Sequence, residues 1–163
     1  MPFTRRDFVS IGTGVASVLE ITPTATESAL AKSQTTKIIN LDDHVTFKLQ
    51  LEHNIGPVVL MSRFLVPPDQ VDNFLAGFRK IFEIMRKQPG LISAQLHRGI
   101  AGSGLFMNYV IWASVDDFKH GCELPEYQAE LKHYPPGTVV SASLFQRVAM
   151  AGMCVGEGTI AAE

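Results

Sequence analysis

Leu105-Phe106-Met107-Asn108-Tyr109-Val110-Ile111-Trp112-Ala113-Ser114-Val115-Asp116-Asp117-Phe118 decides how this chain folds. Residues 105–113 are apolar on both parities, with Phe106, Val110 and Trp112 on one side and Met107, Tyr109 and Ile111 on the other. Such a run reads as a strand covered on both faces. Ser114 then stands where a helix N-cap stands, with Asp117 three residues on to close a capping box, so a short helix begins there.

The neighbouring segments extend this pattern in both directions. Leu91 to His97 is a strand, and Arg98 to Gly104, with three glycines, turns it back into Leu105 to Ala113 as a hairpin. Upstream, Val58 to Leu65 is a nearly all-apolar strand stopped by Pro67-Pro68. From Asp69 the period changes, with Val71, Phe74, Leu75, Phe78, Phe82 and Met85 at helical spacing until Pro89-Gly90. Downstream, Pro125 begins a second short helix near Glu126 to His133, Pro135-Pro136-Gly137 breaks it, and Thr138 to Met150 supplies a last strand. The stretch Val45 to Glu52 alternates apolar and polar residues and is expected to be one extra N-terminal strand, half buried. From Val58 the order is strand, helix, strand, strand, helical pair, strand: an α+β split βαβ plait with its helices on one face of an antiparallel sheet. The other face of the central hairpin strand stays apolar and uncovered, and a second copy of the chain packing sheet to sheet is the expected cover.

The N-terminus carries a different message. Thr4-Arg5-Arg6-Asp7-Phe8-Val9, a weakly apolar run to Leu19 and Ala29-Leu30-Ala31 resemble a twin-arginine export signal with a small-x-small cleavage site. The run is too short and too rich in Gly, Ser and Thr to span a bilayer. Residues 1–31 are therefore expected to be a signal peptide, 32–44 a polar linker, 45–150 the folded domain and 151–163 a flexible tail. The expected location is periplasmic or secreted, with membrane contact only during export.

The chain has 163 residues, 14 Lys and Arg against 16 Asp and Glu, and a net charge of −2. One domain fits that length, and no basic field exists to hold nucleic acid. Cys122 and Cys154 are compatible with one disulfide in an oxidising compartment or with two buried thiols. No glycine-rich phosphate loop, G-x-S-x-G elbow or H-E-x-x-H pair occurs.

Residues 57–147 resemble the antibiotic biosynthesis monooxygenase family. The resemblance rests on the strand, Pro-rich turn and helix of Val58 to Phe82, the Pro89-Gly90-Leu91 step, and Tyr109 to Phe118 with its strand-ending Trp followed by Ser, an acidic stretch and Phe. It implies a ferredoxin-like plait that forms a dimeric α+β barrel. It also implies cofactor-free oxidation of a small quinol- or anthrone-like aromatic by molecular oxygen, with Asn108 and Trp112 lining the substrate pocket. Four residues apart on a strand, those two share a face. Asn108 suits a developing oxyanion and Trp112 offers a flat wall with one N–H donor. His120 is a candidate general base, and Arg63, Phe118, Tyr127 and Lys132 are candidate substrate contacts.

Two departures stand out: Phe118 occupies the place of a family tyrosine, and Lys132 is the nearest equivalent of a family arginine. A second reading is haem binding or degradation, as in related barrels. It requires a helical Trp where this chain has Gly121, an axial His near Leu131 and an early-strand Asn near Met61 or Ser62, and it fails at all three, although His120, His133 or Tyr127 remain as iron ligands in another geometry. A third reading is a non-enzymatic dimeric barrel that binds a small apolar ligand. No metal ligand set is recognised.

Overall fold

A computed structural model describes residues 36–148. Five strands form one sheet in the order β1-β5-β2-β4-β3, where β1 is Lys37–Ile38, β2 Val58–Leu65, β3 Leu91–Arg98, β4 Leu105–Trp112 and β5 Val139–Phe145. β2, β4, β3 and β5 pair antiparallel throughout, and β1 joins β5 in parallel. The helices are α1 (Phe47–Gln50), α2 (Val71–Met85), α3 (Val115–Glu123) and α4 (Pro125–Leu131), with a 3-10 turn at Pro68–Gln70 leading into α2. This is the α+β plait expected from the element order.

The central register sets the two faces. Val58 lies opposite Trp112, Leu60 opposite Val110, Ser62 opposite Asn108 and Phe64 opposite Phe106. All of these turn toward the helices, because alternate residues of a strand share a face. The core beneath α2 and α3 gathers Val58, Leu60, Ile81, Met85, Val110, Trp112, Val115 and Phe118. A second cluster joins Phe64, Val66, Val71, Phe74 and Phe106, with Phe74 fully buried and its ring 4.9 Å from Phe106. Ser114 is the N-cap as predicted: its Oγ accepts from the Asp117 N–H at 3.1 Å and, in place of the backbone bond of a full capping box, donates to Asp117 Oδ2 at 2.6 Å. Gly90, at φ +84°, lets the chain pass directly against the Asp117 side chain, where a Cβ would collide.

The N-terminal part differs from expectation. Residues 45–52 form no strand; Thr46 caps the one-turn helix α1, its hydroxyl accepting from the Leu49 N–H at 3.3 Å. Phe47 and Leu51 are four apart, a spacing that shares a face in a strand and in a helix alike. Both pack on the core, whereas Val45 and Leu49, which a strand would have buried with them, are 41% and 39% exposed. Asp42 Oδ1 accepts from the His44 and Val45 N–H groups and starts this turn. The extra strand lies instead at Lys37–Ile38, inside the segment read as a linker. Its edge is reinforced by Lys37 N–H donating to the Thr138 carbonyl and Ile39 N–H to the Val140 carbonyl, both at 2.8 Å. β5 ends at Phe145, short of the expected Met150, which lies outside the described residues together with the expected signal, Cys154 and the expected tail.

Phe74→Ala should lower stability by about 3–5 kcal/mol, because a ring with no exposed surface leaves a cavity between two layers. Ser114→Ala should cost about 1 kcal/mol through the lost cap. Urea denaturation of the two variants checks both values and their order.

Candidate functional site

Between the helices and the inward sheet face lie two adjoining chambers. The outer one has a volume of about 530 Å³ and is bounded by residues 36–51, by α3 and α4, and by β2 and β5. The inner one, about 70 Å³, lies under α2 and includes Asn108 and Trp112. Leu60, Ser62, Phe64, Phe118, Tyr127 and Tyr134 line both. The outer chamber falls in the size range of pockets that take small molecules. The inner one holds no aromatic ring beside its own, but has room for about two waters or a diatomic gas.

Asn108 is the one polar residue in the inward row of β4, between Phe106 and Val110, and it faces Ser62 across the ladder. Trp112 is 1% exposed, and its Nε1–H has no hydrogen-bond partner among the described residues. A buried donor left unpaired costs about 1–3 kcal/mol. Phe118, on the buried side of α3, sits with its ring 5.7 Å from Trp112 and 6.3 Å from Phe47. It is the hinge of the two chambers.

Three buried titratable groups here, Cys122, Tyr127 and Tyr134, are held un-ionised. Burial pushes the Cys122 thiol from its ordinary 9.0 up to about 12, against a smaller opposing effect of its hydrogen bond with Tyr127. Burial likewise raises the Tyr127 phenol well above its usual range, with the neighbouring Cys122 and Tyr134 adding to the effect. Tyr134 is raised for the same reason, desolvation. At neutral pH the chambers therefore offer hydroxyl, thiol and indole N–H donors and no buried anion. Lys119 and Glu123 also line the outer chamber.

The structure gathers Asn108, Trp112, Phe118 and Tyr127 around this space. The other three candidates lie elsewhere. Arg63 is exposed on the opposite sheet face, because Ser62 and Phe64 take the inward positions of β2. His120 is exposed on α3, roughly 200° around the helix from Phe118. Lys132 caps the C-terminus of α4 and is exposed. None of the three borders either chamber. His133 is also on the surface, 3.6 Å from Glu130. Gly121 lies against Met85, where an added Cβ would come within 2.9 Å of Cε and require the end of that side chain to shift. Among the described residues no three His, Cys, Asp or Glu side chains cluster as a metal site, and no helix is long and apolar enough to cross a membrane.

Ser62, Cys122 and Tyr134 were missed as site residues. Tyr134 stands before Pro135-Pro136 and reads as a helix end, yet Tyr127, Leu131 and Tyr134 follow i, i+4, i+7 spacing, which places them on one side. That spacing was the available signal.

Because Cys122 binds its proton more tightly when folded, its contribution to stability is fully present below pH 9.0 and is lost as pH rises toward about 12. Cys122→Ala should flatten the decline in stability between pH 8 and pH 11 relative to the parent chain, measured by urea denaturation at stepped pH; parallel curves would refute a buried thiol.

Residues 57–131 match the sequence model described as antibiotic biosynthesis monooxygenase. No curated protein matches this sequence. Among solved structures, the chain is similar to SnoaB, a cofactor-independent oxygenase from Streptomyces nogalater, at TM-score 0.53 and 19% identity, over 60% of this chain and 99% of that one. It is also similar to Rv0793 from Mycobacterium tuberculosis, at TM-score 0.52 and 18% identity, over 60% of this chain and all of the other (100%). At these identities the structural likeness speaks for the fold, and the sequence match covers 75 of the 163 residues. Residues 57–131 are thus similar to the antibiotic biosynthesis monooxygenase domain, and they are set in a five-stranded ferredoxin-like sheet.

Proposed function

We propose that this protein is an exported, cofactor-independent monooxygenase that oxidises a small quinol- or anthrone-like aromatic with molecular oxygen. The observation that carries the reading is a largely apolar chamber of about 530 Å³ that meets, at its inner end, an unpartnered buried Trp112 N–H and the carboxamide of Asn108. The ring system lies in the outer chamber, and its oxygenated edge points past Phe118 toward the inner one. An oxygen anion there gains hydrogen bonds from Trp112 and Asn108 in a site sheltered from water, where each such donor is worth about 3 kcal/mol.

The chemistry balances without a bound group. An anthrone CH₂ loses a proton to solvent water at the chamber mouth, a proton that the peroxide later takes back, and the carbanion passes an electron to O₂. The radical pair then closes a C–O bond. Loss of water breaks the O–O bond and leaves a C=O, so one oxygen atom enters the product and one leaves as water. Tyr127 and Tyr134, kept protonated by burial, serve as donors in this scheme and not as bases. The inner chamber is sized for O₂ next to the reacting carbon.

The active form we propose is a homodimer that joins the outward sheet faces. Met61, Met107, Tyr109 and Ile111 share that face, with Arg63 among them, which gives Arg63 a place at the subunit contact instead of in the pocket. The enzyme works after export, directed by Arg5-Arg6, in the periplasm or outside the cell.

Oxygen uptake by the purified protein with hydroquinones and anthrones, without added metal or flavin, should exceed the spontaneous rate. Trp112→Phe keeps the ring and removes the donor, and Asn108→Ala removes the carboxamide; each should lower kcat by about 10²–10³-fold while the variants stay folded. Uptake indistinguishable from the spontaneous rate with the parent chain would leave a ligand-binding barrel, and a Soret band in the purified protein would favour haem. Replacing Arg5-Arg6 by a lysine pair should retain the precursor in the cytoplasm, read by fractionation; unchanged export would exclude the twin-arginine route.

A further inference from the structure

We infer that residues 36–51, which precede the family-matched domain, form the specificity-determining wall of the ligand chamber, and that Ile39 and Phe47 set the largest ring system admitted. The family match begins at residue 57, so these positions belong to no part of the shared domain. Yet Thr36, Ile39, Asn40, Phe47 and Leu51 line the outer chamber, opposite Phe118, Tyr127 and Leu131. Without these residues β5 would be the edge strand of the sheet.

The wall is anchored at several separate points. β1 adds to the edge of β5 through main-chain bonds at Thr138 and Val140. Gln50 Oε1 accepts from the Leu144 N–H at 2.8 Å, tying α1 to the far end of the same strand. Asn40 Oδ1 accepts from the Phe47 N–H at 3.4 Å, linking strand and helix. Phe47 then reaches Phe118, the residue where the two chambers meet. A segment held along β5 and braced against the chamber hinge behaves as a fixed wall, and its inward side chains limit size by steric exclusion.

The inference rests on the outer chamber being the ligand site, and a binding readout separates it from the oxygenase reading. Dissociation constants would be measured anaerobically for probes of one, two and three fused rings (benzene-1,4-diol, naphthalene-1,4-diol and anthrone). The signal is quenching of the single tryptophan, Trp112. In the full chain, Ile39→Phe and Thr36→Phe add bulk from the wall, and Phe47→Ala removes it. The first two should weaken three-ring binding at least tenfold and change one-ring binding less than twofold. Phe47→Ala should leave three-ring binding intact and weaken the one-ring probe several-fold. Equal changes across the three probes, or none, would overturn the wall. Size-dependent changes in a protein that consumes no oxygen would sink the oxygenase and leave the wall standing. Oxygen consumption with no dependence of binding on these substitutions would do the reverse.

Discussion

The antiparallel register of β2 with β4 governs what every other part of the molecule can do. Ser62 opposite Asn108 and Val58 opposite Trp112 place four side chains on the inward face. A slip of one residue would send all of them outward and bring Arg63 and Tyr109 into the core. The apolar members of the inward rows, Phe64, Phe106, Val110 and Trp112, hold that register by burial. The polar members, Ser62 and Asn108, spend part of that stability to put hydrogen-bonding groups at the floor of a chamber. Fold and site are thus fixed by the same ladder.

Much of this was legible in the residues. The helical period after Asp69, the Ser114 N-cap and the strand beginning at Leu105 each follow from local rules, and the structure has each in place. Asn108 and Trp112 could be paired because strand alternation is strict. The region before Pro57 was misread for an equally specific reason. Phe47 and Leu51 satisfy both periods, and the short polar side chains of Asp42 and Thr46, which favour a turn and a cap, decide between them. Arg63, His120 and Lys132 illustrate a second limit. Residue type alone does not say which face a side chain takes, and on a strand or helix the neighbouring position points into solvent.

The chambers differ from many reactive sites in what they lack. Cys122, Tyr127 and Tyr134 would be candidate nucleophiles or bases in a wetter or more cationic setting, but burial keeps each protonated. What remains is a set of weakly acidic donors around an apolar volume. In the proposed reaction such a site would favour a ligand that is neutral when it enters and becomes anionic only within reach of Trp112 and Asn108. The selectivity is for charge that develops rather than charge that is carried.

β1 and Gln50 have an effect beyond the chamber they border. β5 would otherwise present its free N–H and C=O groups along one margin of the sheet, the kind of margin on which neighbouring chains stack into fibrils. Two residues of parallel pairing at Lys37–Ile38 take up one end of that margin, and a glutamine side chain blocks the Leu144 N–H at the other. The segment is too short to be a good strand and for that reason a poor template, so the molecule shields one edge against aggregation without offering a new long edge in its place.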